Sequence, residues 1–329
     1  MSNKENKTVL VMVPTREADK KKFMEAAPGY RFIYNEEPAK SDLEQAHIII
    51  GEPAHDMMAM AGRLEWLQIT WAGVDYYTKG YEFPKNVFFT NMSGAFGQSI
   101  SEYALAMIFS LYKLLPSYRD QQNQEIWRDC GRERTPVGKT VLITGVGDIG
   151  GSIAVLMKKF DCTTLGITMF VGKIPEYMDE LYTMDALDGL LPRADIIVNC
   201  LPSTDKTKGM FDARRFGLMK QDALFVNVSR GDLVDTMALV DALKSGRLFG
   251  AAVDVTDPEP LPAGHPLWRC KNAIVTPHIS GTCFGHLVET ENKIIGICAE
   301  NLKRYAAGQE LRNEVDLKAG YKKEEPQKN

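Results

Sequence analysis

Three ionisable side chains follow three separate apolar runs in the second half of the chain. Arg230 comes after LFVNV, Glu259 comes shortly after GAAVD, and His278 comes after AIVTP. Ligands of open α/β sheets bind outside the carboxyl ends of the strands, so we expect these side chains to converge there. Arginine offers a planar, permanently charged fork that matches a carboxylate, and histidine can give or take a proton near neutral pH. A glutamate beside the histidine orients its ring and favours the protonated form. The three residues therefore predict acid–base chemistry on a small molecule that carries a carboxylate.

Each of the three residues also has a structural interpretation. Arg230 could form an ion pair, Glu259 could be a solvated acid in the proline-rich turn DPEPLP, and His278 could be a hydrogen-bonded residue at a strand end. Their joint occurrence behind a glycine-rich loop favours the functional interpretation. We predict no metal site, because the next histidine, His286, has no Cys or carboxylate partner at ligand spacing.

The glycine-rich loop is TVLITGVGDIGG, an apolar run followed by Gly145, Gly147 and Gly150 and then by an amphipathic stretch. In this strand–loop–helix context, Gly145 permits a tight turn, Gly147 lets a pyrophosphate approach the backbone, and Gly150 lets the helix close on the strand. The free N–H groups of the helix start attract the phosphates. We predict that this loop, with Asp148 and Ile149, binds the dinucleotide NAD or NADP; an ordinary structural turn is the less favoured alternative.

The residue expected to select between the two dinucleotides is unusual. A carboxylate that binds the adenosine ribose of NAD should lie roughly 20 residues beyond the glycines, but this position holds Thr168. Threonine does not repel a ribose 2′-phosphate, and Lys173 is close enough in the chain to bind one. The sequence therefore favours NADP, although Thr168 could be indifferent and Lys173 simply solvated.

These groups together suit the reduction of a 2-keto acid. Arg230 would anchor the carboxylate and polarise the carbonyl, and the hydride would come from the nicotinamide. His278 would donate the proton to the developing alkoxide, while Glu259 keeps the imidazole charged until then. In the reverse reaction neutral His278 would act as the base.

The elements that must position these residues alternate between strand-like and helix-like runs, which predicts parallel sheets covered by helices. The first series has candidate strands at residues 8–13, 31–34, 47–51, 67–70 and 87–90. A long helix is expected from about Gln98, and six more strands follow at 140–144, 163–168, 195–200, 224–228, 250–254 and 273–276. A final helix at about 283–307 is expected to pack back on the first domain. We therefore predict a substrate domain of residues 1–100 plus 285–329 and a dinucleotide-binding Rossmann domain of residues 101–284.

The composition limits the class of protein. The chain has 329 residues, a formal charge of −4 and six cysteines that are not at metal-ligand spacing. These values argue against nucleic-acid and membrane-surface partners and favour reduced thiols in the cytoplasm. We expect no signal peptide or membrane span, and a frayed charged tail over residues 318–329.

Six segments between about Leu64 and His286 form a recognisable series: AGVD, SGAFGQSISEYALA, GVGDIG, VNVSRGDLVDTMALVDALKSGRLFGAAVDVTDPEPLP, HPLW and TPHISG. In sequence and in order they resemble the D-isomer-specific 2-hydroxyacid dehydrogenases. The resemblance implies an α/β fold of two Rossmann-like, doubly wound domains with the active site in the cleft between them, and a homodimer. It also implies catalytic roles for Arg230, Glu259 and His278.

The resemblance further implies two sets of binding residues. The backbone N–H groups of Ala72, Gly73 and Val74 would bind the substrate carboxylate together with Arg230. The cofactor would be touched by Asp254, at its nicotinamide amide, and by four more residues: Leu201, Pro202, Thr207 and Ser229.

Two departures from the family pattern leave questions open. Many NAD-using members have Asp where this chain has Thr168, and some NADP-using members have Arg where it has Met169. Trp71, Tyr76 and Tyr77 flank the carboxylate loop. They either shape a pocket for a keto acid larger than glyoxylate or pack the core of the first domain.

Two rival functions fit the same architecture. A dinucleotide-sensing interaction protein would use the cofactor to set a partner-binding state, but it has no need of an Arg, Glu and His set. Formate oxidation is the other, although formate has no side chain that an aromatic entrance could accommodate.

Overall fold

A computed structural model describes residues 7–317 and 321–322 and divides into two compact units. The first unit holds the described residues up to Phe96 and those from Thr282 onward, and the second runs from Gly97 to Gly281. The boundaries expected from the sequence lie a few residues further along the chain in both places.

The first unit is a five-stranded parallel sheet with the strand order β2-β1-β3-β4-β5. Its elements in chain order are β1 (Thr8–Val11), α1 (Glu17–Ala26), β2 (Arg31–Tyr34), α2 (Lys40–Gln45), β3 (Ile48–Ile50), α3 (His55–Met60), β4 (Trp66–Gln68), α4 (Asp75–Thr78) and β5 (Phe88–Thr90). The last helix, α11 (Val288–Ala306), belongs to this unit as well, and its Asn301 donates a hydrogen bond of 2.8 Å to Gln68 on β4.

The second unit is a seven-stranded parallel sheet with the strand order β12-β11-β10-β9-β6-β7-β8. Its elements are α5 (Gly97–Tyr112), α6 (Leu115–Asn123), β6 (Thr140–Thr144), α7 (Asp148–Lys158), β7 (Thr163–Ile167), β8 (Glu180–Tyr182), α8 (Leu187–Leu190), β9 (Ile196–Asn199), α9 (Ala213–Leu218), β10 (Ala223–Asn227), α10 (Thr236–Lys244), β11 (Leu248–Val253) and β12 (Ala273–Val275). The chain then returns to the first unit with α11 (Val288–Ala306), β13 (Val315–Asp316) and β14 (Tyr321–Lys322).

The predicted fold class, an α/β chain with two parallel-sheet domains, is confirmed. The central strands were predictable because they are short β-branched runs buried on both faces; Val141, Leu142 and Ile143 of β6 are all 0% exposed. The strand order reverses between β6 and β9, which is the switch point where a doubly wound sheet binds its ligand.

Three expectations from the sequence were wrong. The second sheet has a seventh strand, β8, whose residues are only half-buried because it lies at the sheet edge. The last helix begins at Val288 rather than near 283, since the preceding Gly285 has a φ of +81° that interrupts the helix. In the tail expected to be frayed, β14 pairs with β13; residues 318–320 and 323–329 lie outside the described residues. Among the described residues, no helix has both the length and the apolar character needed to cross a membrane.

Candidate active site

The carboxyl ends of three adjacent strands carry the three ionisable residues singled out from the sequence. Strands β10, β11 and β12 are neighbours in the second sheet, and Arg230, Glu259 and His278 lie on the segments that follow them. Parallel pairing brings these ends to the same edge of the sheet. The sheet thus gathers residues that are far apart in the chain.

His278 and Glu259 are in direct contact. The distance from His278 Nδ1 to Glu259 Oε1 is 2.7 Å. The two side chains are 44% and 42% exposed, so both can also reach a ligand. A carboxylate oxygen only accepts, so Nδ1 carries the proton of this hydrogen bond and Nε2 is the nitrogen left to exchange a proton with a bound molecule. Glu259 is itself positioned by the backbone N–H of Thr256, which donates to Oε2 at 3.3 Å.

The backbone at His278 adopts an uncommon conformation, with a φ of +54°. A non-glycine residue in this region is unfavourable unless its surroundings hold it there. Asp254, which is 2% exposed, supplies the contacts: its backbone carbonyl accepts from the N–H of His278 at 2.8 Å. Its carboxylate accepts from the N–H groups of Ile279 and Ser280 at 2.8 and 2.9 Å. Asp254 therefore fixes the loop that carries His278, which is a role the resemblance did not imply.

Arg230 lies half-buried beside this loop system, and its Nη1 donates to the carbonyl of Ser229 at 2.8 Å. The next residue, Gly231, brings the segment after β10 against the segment after β11. A Cβ at Gly231 would lie 2.0 Å from the carbonyl carbon and oxygen of Thr256. This close approach needs glycine, and it places Arg230 next to the segment that bears Glu259.

The glycine loop after β6 has the shape of a phosphate cradle. Gly145 has a φ of +92° and its Cβ would lie 2.7 Å from the carbonyl oxygen of Cys200, so only glycine fits the turn. At Gly150 a Cβ would lie 2.1 Å from the oxygen of Gly145. By contrast, the space around Gly147 is open and Gly147 stands at the start of α7. The residues present therefore fit a dinucleotide pyrophosphate at the N–H groups that begin α7.

The side chain of Asp148, the first residue of α7, is engaged outside the phosphate cradle. Its Oδ2 accepts the backbone N–H of Gly97, the first residue of α5, at 2.9 Å. Asp148 is thus engaged at the start of another helix, and its own backbone N–H, with that of Ile149, remains part of the helix terminus that faces the cradle.

The other predicted cofactor residues lie on loops at the same edge of the sheet. Thr168 follows β7 directly, and its N–H donates to the carbonyl of Tyr182 at 2.9 Å; Lys173 is exposed on the loop that follows. Leu201 and Pro202 follow β9. Their loop is held by two hydroxyls, because Ser229 Oγ donates to the carbonyl of Leu201 and Thr207 Oγ1 donates to that of Pro202 at 2.7 Å.

A buried polar chain beneath these loops was not predicted. Thr144 Oγ1 donates to Asn199 Oδ1 at 2.9 Å, and Asn199 Nδ2 donates to Asn227 Oδ1 at 3.0 Å. Asn227 Nδ2 in turn donates to the carbonyl of Arg230 at 3.1 Å. All three polar residues are 0% exposed and end the strands β6, β9 and β10. The sequence feature that could have indicated this chain is the asparagine at the end of each of two apolar strands, IIVN and LFVN.

In the first unit, Ala72, Gly73 and Val74 form the turn that leads into α4. Asn91 Nδ2 donates to the carbonyl of Ala72 at 2.7 Å. The carboxylate of Glu52 accepts from the Thr70 hydroxyl at 2.8 Å. Burial raises the pKa of Glu52, and the hydrogen bonds from Thr70 oppose that shift. The loop proposed to bind a carboxylate is therefore fixed by side chains at its first residue and just before it.

The three aromatic residues around this loop fall into two groups. Tyr77 is 0% exposed in the core of the first unit, and its hydroxyl donates to the carbonyl of Pro53 at 2.8 Å. For Tyr77 the core-packing alternative is therefore correct. Trp71 and Tyr76 are 43% and 45% exposed, and the ring of Tyr76 stacks on His55 with centroids 4.2 Å apart.

Known proteins match this chain over most of its length. A family model described as D-isomer specific 2-hydroxyacid dehydrogenase, NAD binding domain, matches residues 105–280. A crystal structure of a D-isomer specific 2-hydroxyacid dehydrogenase family protein from Aeromonas salmonicida is 34% identical, with a TM-score of 0.83, and the match covers 95% of this chain and 99% of that one. The chain therefore belongs to the D-isomer specific 2-hydroxyacid dehydrogenase family, an oxidoreductase family that uses NAD(P).

Two further relatives carry information on ligands. A D-isomer specific 2-hydroxyacid dehydrogenase from Xanthobacter autotrophicus Py2, in complex with NADPH and MES, is 27% identical with a TM-score of 0.80, covering 96% of this chain and 99% of that one. Formate dehydrogenase 2, mitochondrial, from Oryza sativa subsp. japonica is 30% identical over 86% of this chain and 78% of its own length. The predicted family and oxidoreductase class are confirmed.

Proposed function

We propose that this chain is an NAD(P)H-dependent reductase that converts a 2-keto acid into a D-2-hydroxy acid. The observation that carries the proposal is the contact of 2.7 Å between His278 Nδ1 and Glu259 Oε1, which leaves Nε2 for a substrate. Arg230 lies on the segment after β10, which is separated from β12, the strand before His278, by β11 alone. A proton-transfer pair beside a carboxylate-binding cation is what the reduction of a 2-keto acid requires.

One group of residues would bind the substrate and another would transfer the proton. Arg230 and the backbone N–H groups of Ala72, Gly73 and Val74 hold the substrate carboxylate. The glycine cradle would hold the pyrophosphate of a reduced dinucleotide, which when bound would supply the hydride for the carbonyl carbon. Protonated His278 gives its Nε2 proton to the carbonyl oxygen, so that the C=O group becomes CH–OH, and Glu259 keeps the ring oriented. In the reverse direction neutral His278 takes the hydroxyl proton at Nε2.

For the cofactor we propose NADP rather than NAD. Thr168, directly after β7, brings no negative charge to the ribose site, and exposed Lys173 can pair with a 2′-phosphate. The relative from Xanthobacter autotrophicus, in complex with NADPH, supports this choice. Asp254, Leu201, Pro202, Thr207 and Ser229 remain proposed cofactor contacts.

We propose a substrate with a side chain larger than that of glyoxylate. Trp71 and Tyr76 stand on either side of the Ala72–Val74 turn and expose 43% and 45% of their surface. Large aromatic side chains with exposed faces favour apolar ligand groups over water. A keto acid with an apolar side chain would bury part of both rings.

Formate oxidation is the second candidate, because the formate dehydrogenase from Oryza sativa is 30% identical to this chain. The site chemistry favours the keto acid. Formate loses a hydride and becomes carbon dioxide without exchanging a proton at the reacting atoms, so the His278–Glu259 pair would have no proton to move.

We also propose that the chain forms a homodimer through the surface of α6 and the segment after it. Trp127 is 103% exposed, and Leu115 and Ile126 are 53% and 40% exposed on the same stretch. Large apolar side chains grouped on a surface are typical of interaction sites.

Steady-state kinetics with NADPH and NADH tests the function. We expect loss of reduced-nicotinamide absorbance with 2-keto acids of graded side-chain size, faster with NADPH, and a product of D configuration. His278→Ala, which retains the cradle, is the matched control. Turnover of formate with no keto acid reduced would favour the second candidate. Tight cofactor binding without turnover of either would favour a dinucleotide sensor.

A further inference from the structure

The loop that carries His278 is connected to helix α5 by a chain of side-chain hydrogen bonds. The hydroxyls of Tyr103, on α5, and Thr276, on the loop, are 2.5 Å apart. Thr276 Oγ1 lies 2.7 Å from Asp254 Oδ1. A carboxylate oxygen only accepts, so Thr276 uses its single proton on Asp254 and must accept the proton of Tyr103. The direction of the chain is therefore Tyr103 to Thr276 to Asp254.

Asp254 transmits this connection to His278 and to the two residues that follow it. Its carboxylate accepts the N–H groups of Ile279 and Ser280, and its carbonyl accepts that of His278. These are the contacts that hold the backbone of His278 at a φ of +54°. Asp254 is 2% exposed, so water cannot readily replace a donor that its carboxylate loses.

We propose that Tyr103 is a positioning residue for His278, acting through Thr276 and Asp254 on the loop that aims the imidazole. The proposal rests on the proposed function of His278 as proton donor. The Tyr103 hydroxyl is bound to Thr276, whereas His278 and Glu259 are bound to each other. Its effect on the reaction must therefore pass through the loop.

The surroundings of Tyr103 suit a permanent donor. Burial raises the pKa of Tyr103 to about 12, and the nearby carboxylate of Asp254 adds to the shift. The phenol therefore keeps its proton at neutral pH and donates to Thr276 in either protonation state of His278. Helix α5 provides a rigid base for this donor over Gly97–Tyr112.

The test combines four variants of the full-length chain. Tyr103→Phe removes only the first donor, and Thr276→Val removes the middle hydroxyl while keeping the side-chain shape. Thr276→Ser restores that hydroxyl. Tyr112→Phe is the matched control, because Tyr112 lies on the same helix, is 2% exposed, and packs its ring on Phe249 with centroids 5.6 Å apart.

Two measurements are made on each variant. Hydrogen exchange of the peptide that covers residues 276–281 reports on the loop without any turnover. We expect this exchange to be about tenfold faster in Tyr103→Phe and Thr276→Val, which lose a buried hydrogen bond. It should remain near the wild-type rate in Thr276→Ser and Tyr112→Phe.

Steady-state kinetics should show kcat lowered about tenfold or more in Tyr103→Phe and Thr276→Val, because a misplaced proton donor slows the reaction step. KM for the keto acid should change less than about threefold, since Arg230 and the cradle are intact.

The outcomes separate this inference from the proposed function. Unchanged exchange of residues 276–281 in both Tyr103→Phe and Thr276→Val overturns the inference, as does faster exchange with an unchanged kcat in an active enzyme. A fall in kcat equal to that of Tyr112→Phe also overturns it. If the wild-type chain reduces no keto acid, the proposed function fails, and the exchange rates alone decide whether Tyr103 holds the loop.

Discussion

Substituting Gly231 by alanine should separate two segments of the active site by a predictable amount. The added Cβ would lie 2.0 Å from the carbonyl carbon and oxygen of Thr256 and 2.7 Å from the N of Asp257. All three atoms belong to the backbone, so no side-chain rotation relieves the clash. Non-bonded carbon atoms prefer a separation of about 3.5 Å, so the segments after β10 and β11 must move apart by about 1.5 Å.

That movement displaces Arg230, on one segment, from Glu259 and its partner His278. A misplacement of about 1 Å can cost about 100-fold in rate, and we expect kcat/KM to fall by about that factor, or about 2.7 kcal/mol. Overpacking costs typically about 1–3 kcal/mol of stability, which lowers the midpoint of thermal unfolding by a few degrees in a domain of this size. The folded protein should therefore persist while the activity falls.

Gly217→Ala is the matched control for Gly231→Ala. Gly217 lies within α9, and a Cβ there meets no atom within 4 Å. Alanine should leave kcat/KM unchanged and stabilise the helix by about 0.5–1 kcal/mol. Keto acid kinetics and thermal unfolding of the two variants check both statements. A Gly231→Ala enzyme whose kcat/KM stays within threefold of the wild type would show that the close approach of the two segments does not set the geometry of the site.

Four further outcomes are expected. His278→Ala should lower kcat by about 100-fold or more because it removes the proton donor, while titration of NADPH fluorescence shows a nearly unchanged dissociation constant; near wild-type turnover would refute the proton-donor role. Thr168→Asp should shift the ratio of kcat/KM values for NADPH and NADH toward NADH, since a carboxylate repels a 2′-phosphate; an unchanged ratio would mean that Thr168 does not set cofactor choice. Asn227→Ala removes three hydrogen bonds at a buried strand end and should lower the free energy of unfolding by about 2–4 kcal/mol, measured by urea denaturation; a loss below about 0.5 kcal/mol would contradict the buried polar chain. Trp127→Ser should weaken self-association, seen as a lower molar mass in light scattering at low protein concentration. Met24→Ser, at a residue on α1 that is 52% exposed, should leave the molar mass unchanged. Equal molar masses for the two variants would argue against the proposed dimer surface.

Much of the fold could be predicted because its strands are short apolar runs with clear ends. The run TVLIT forms β6 and the run ALFVN contains β10, and both are buried on the two faces of a parallel sheet. The pattern failed at β8, where ELY gives no apolar run and the strand exists only because β7 offers a free edge. An edge strand of this kind depends on tertiary pairing, which the local sequence does not encode.

The candidate site was predictable in part for a similar reason. Glu259 and His278 could be paired from the sequence because each follows a strand of one parallel sheet. Tyr103 could not be identified in this way. It lies in a helix with apolar residues at helical spacing, where a tyrosine is expected to be a packing residue. Its hydrogen bond to Thr276 depends on how α5 lies against the sheet, and only the three-dimensional structure provides that information.

The exposure of the candidate site residues divides them into two groups. His278 and Glu259 are 44% and 42% exposed, whereas Asn227, which holds the Arg230 loop, and Asp254, which holds the His278 loop, are at most 2% exposed. The groups that would touch a substrate are therefore carried by loops that buried polar side chains hold in place. Substitution of Asp254 would act on the loop of the proposed proton donor and should lower kcat more than it raises KM. If Trp71 contacts the substrate side chain, as proposed above, its substitution should change KM more than kcat. If both kinds of substitution changed kcat and KM in the same proportion, the division between positioning residues and contact residues would be wrong.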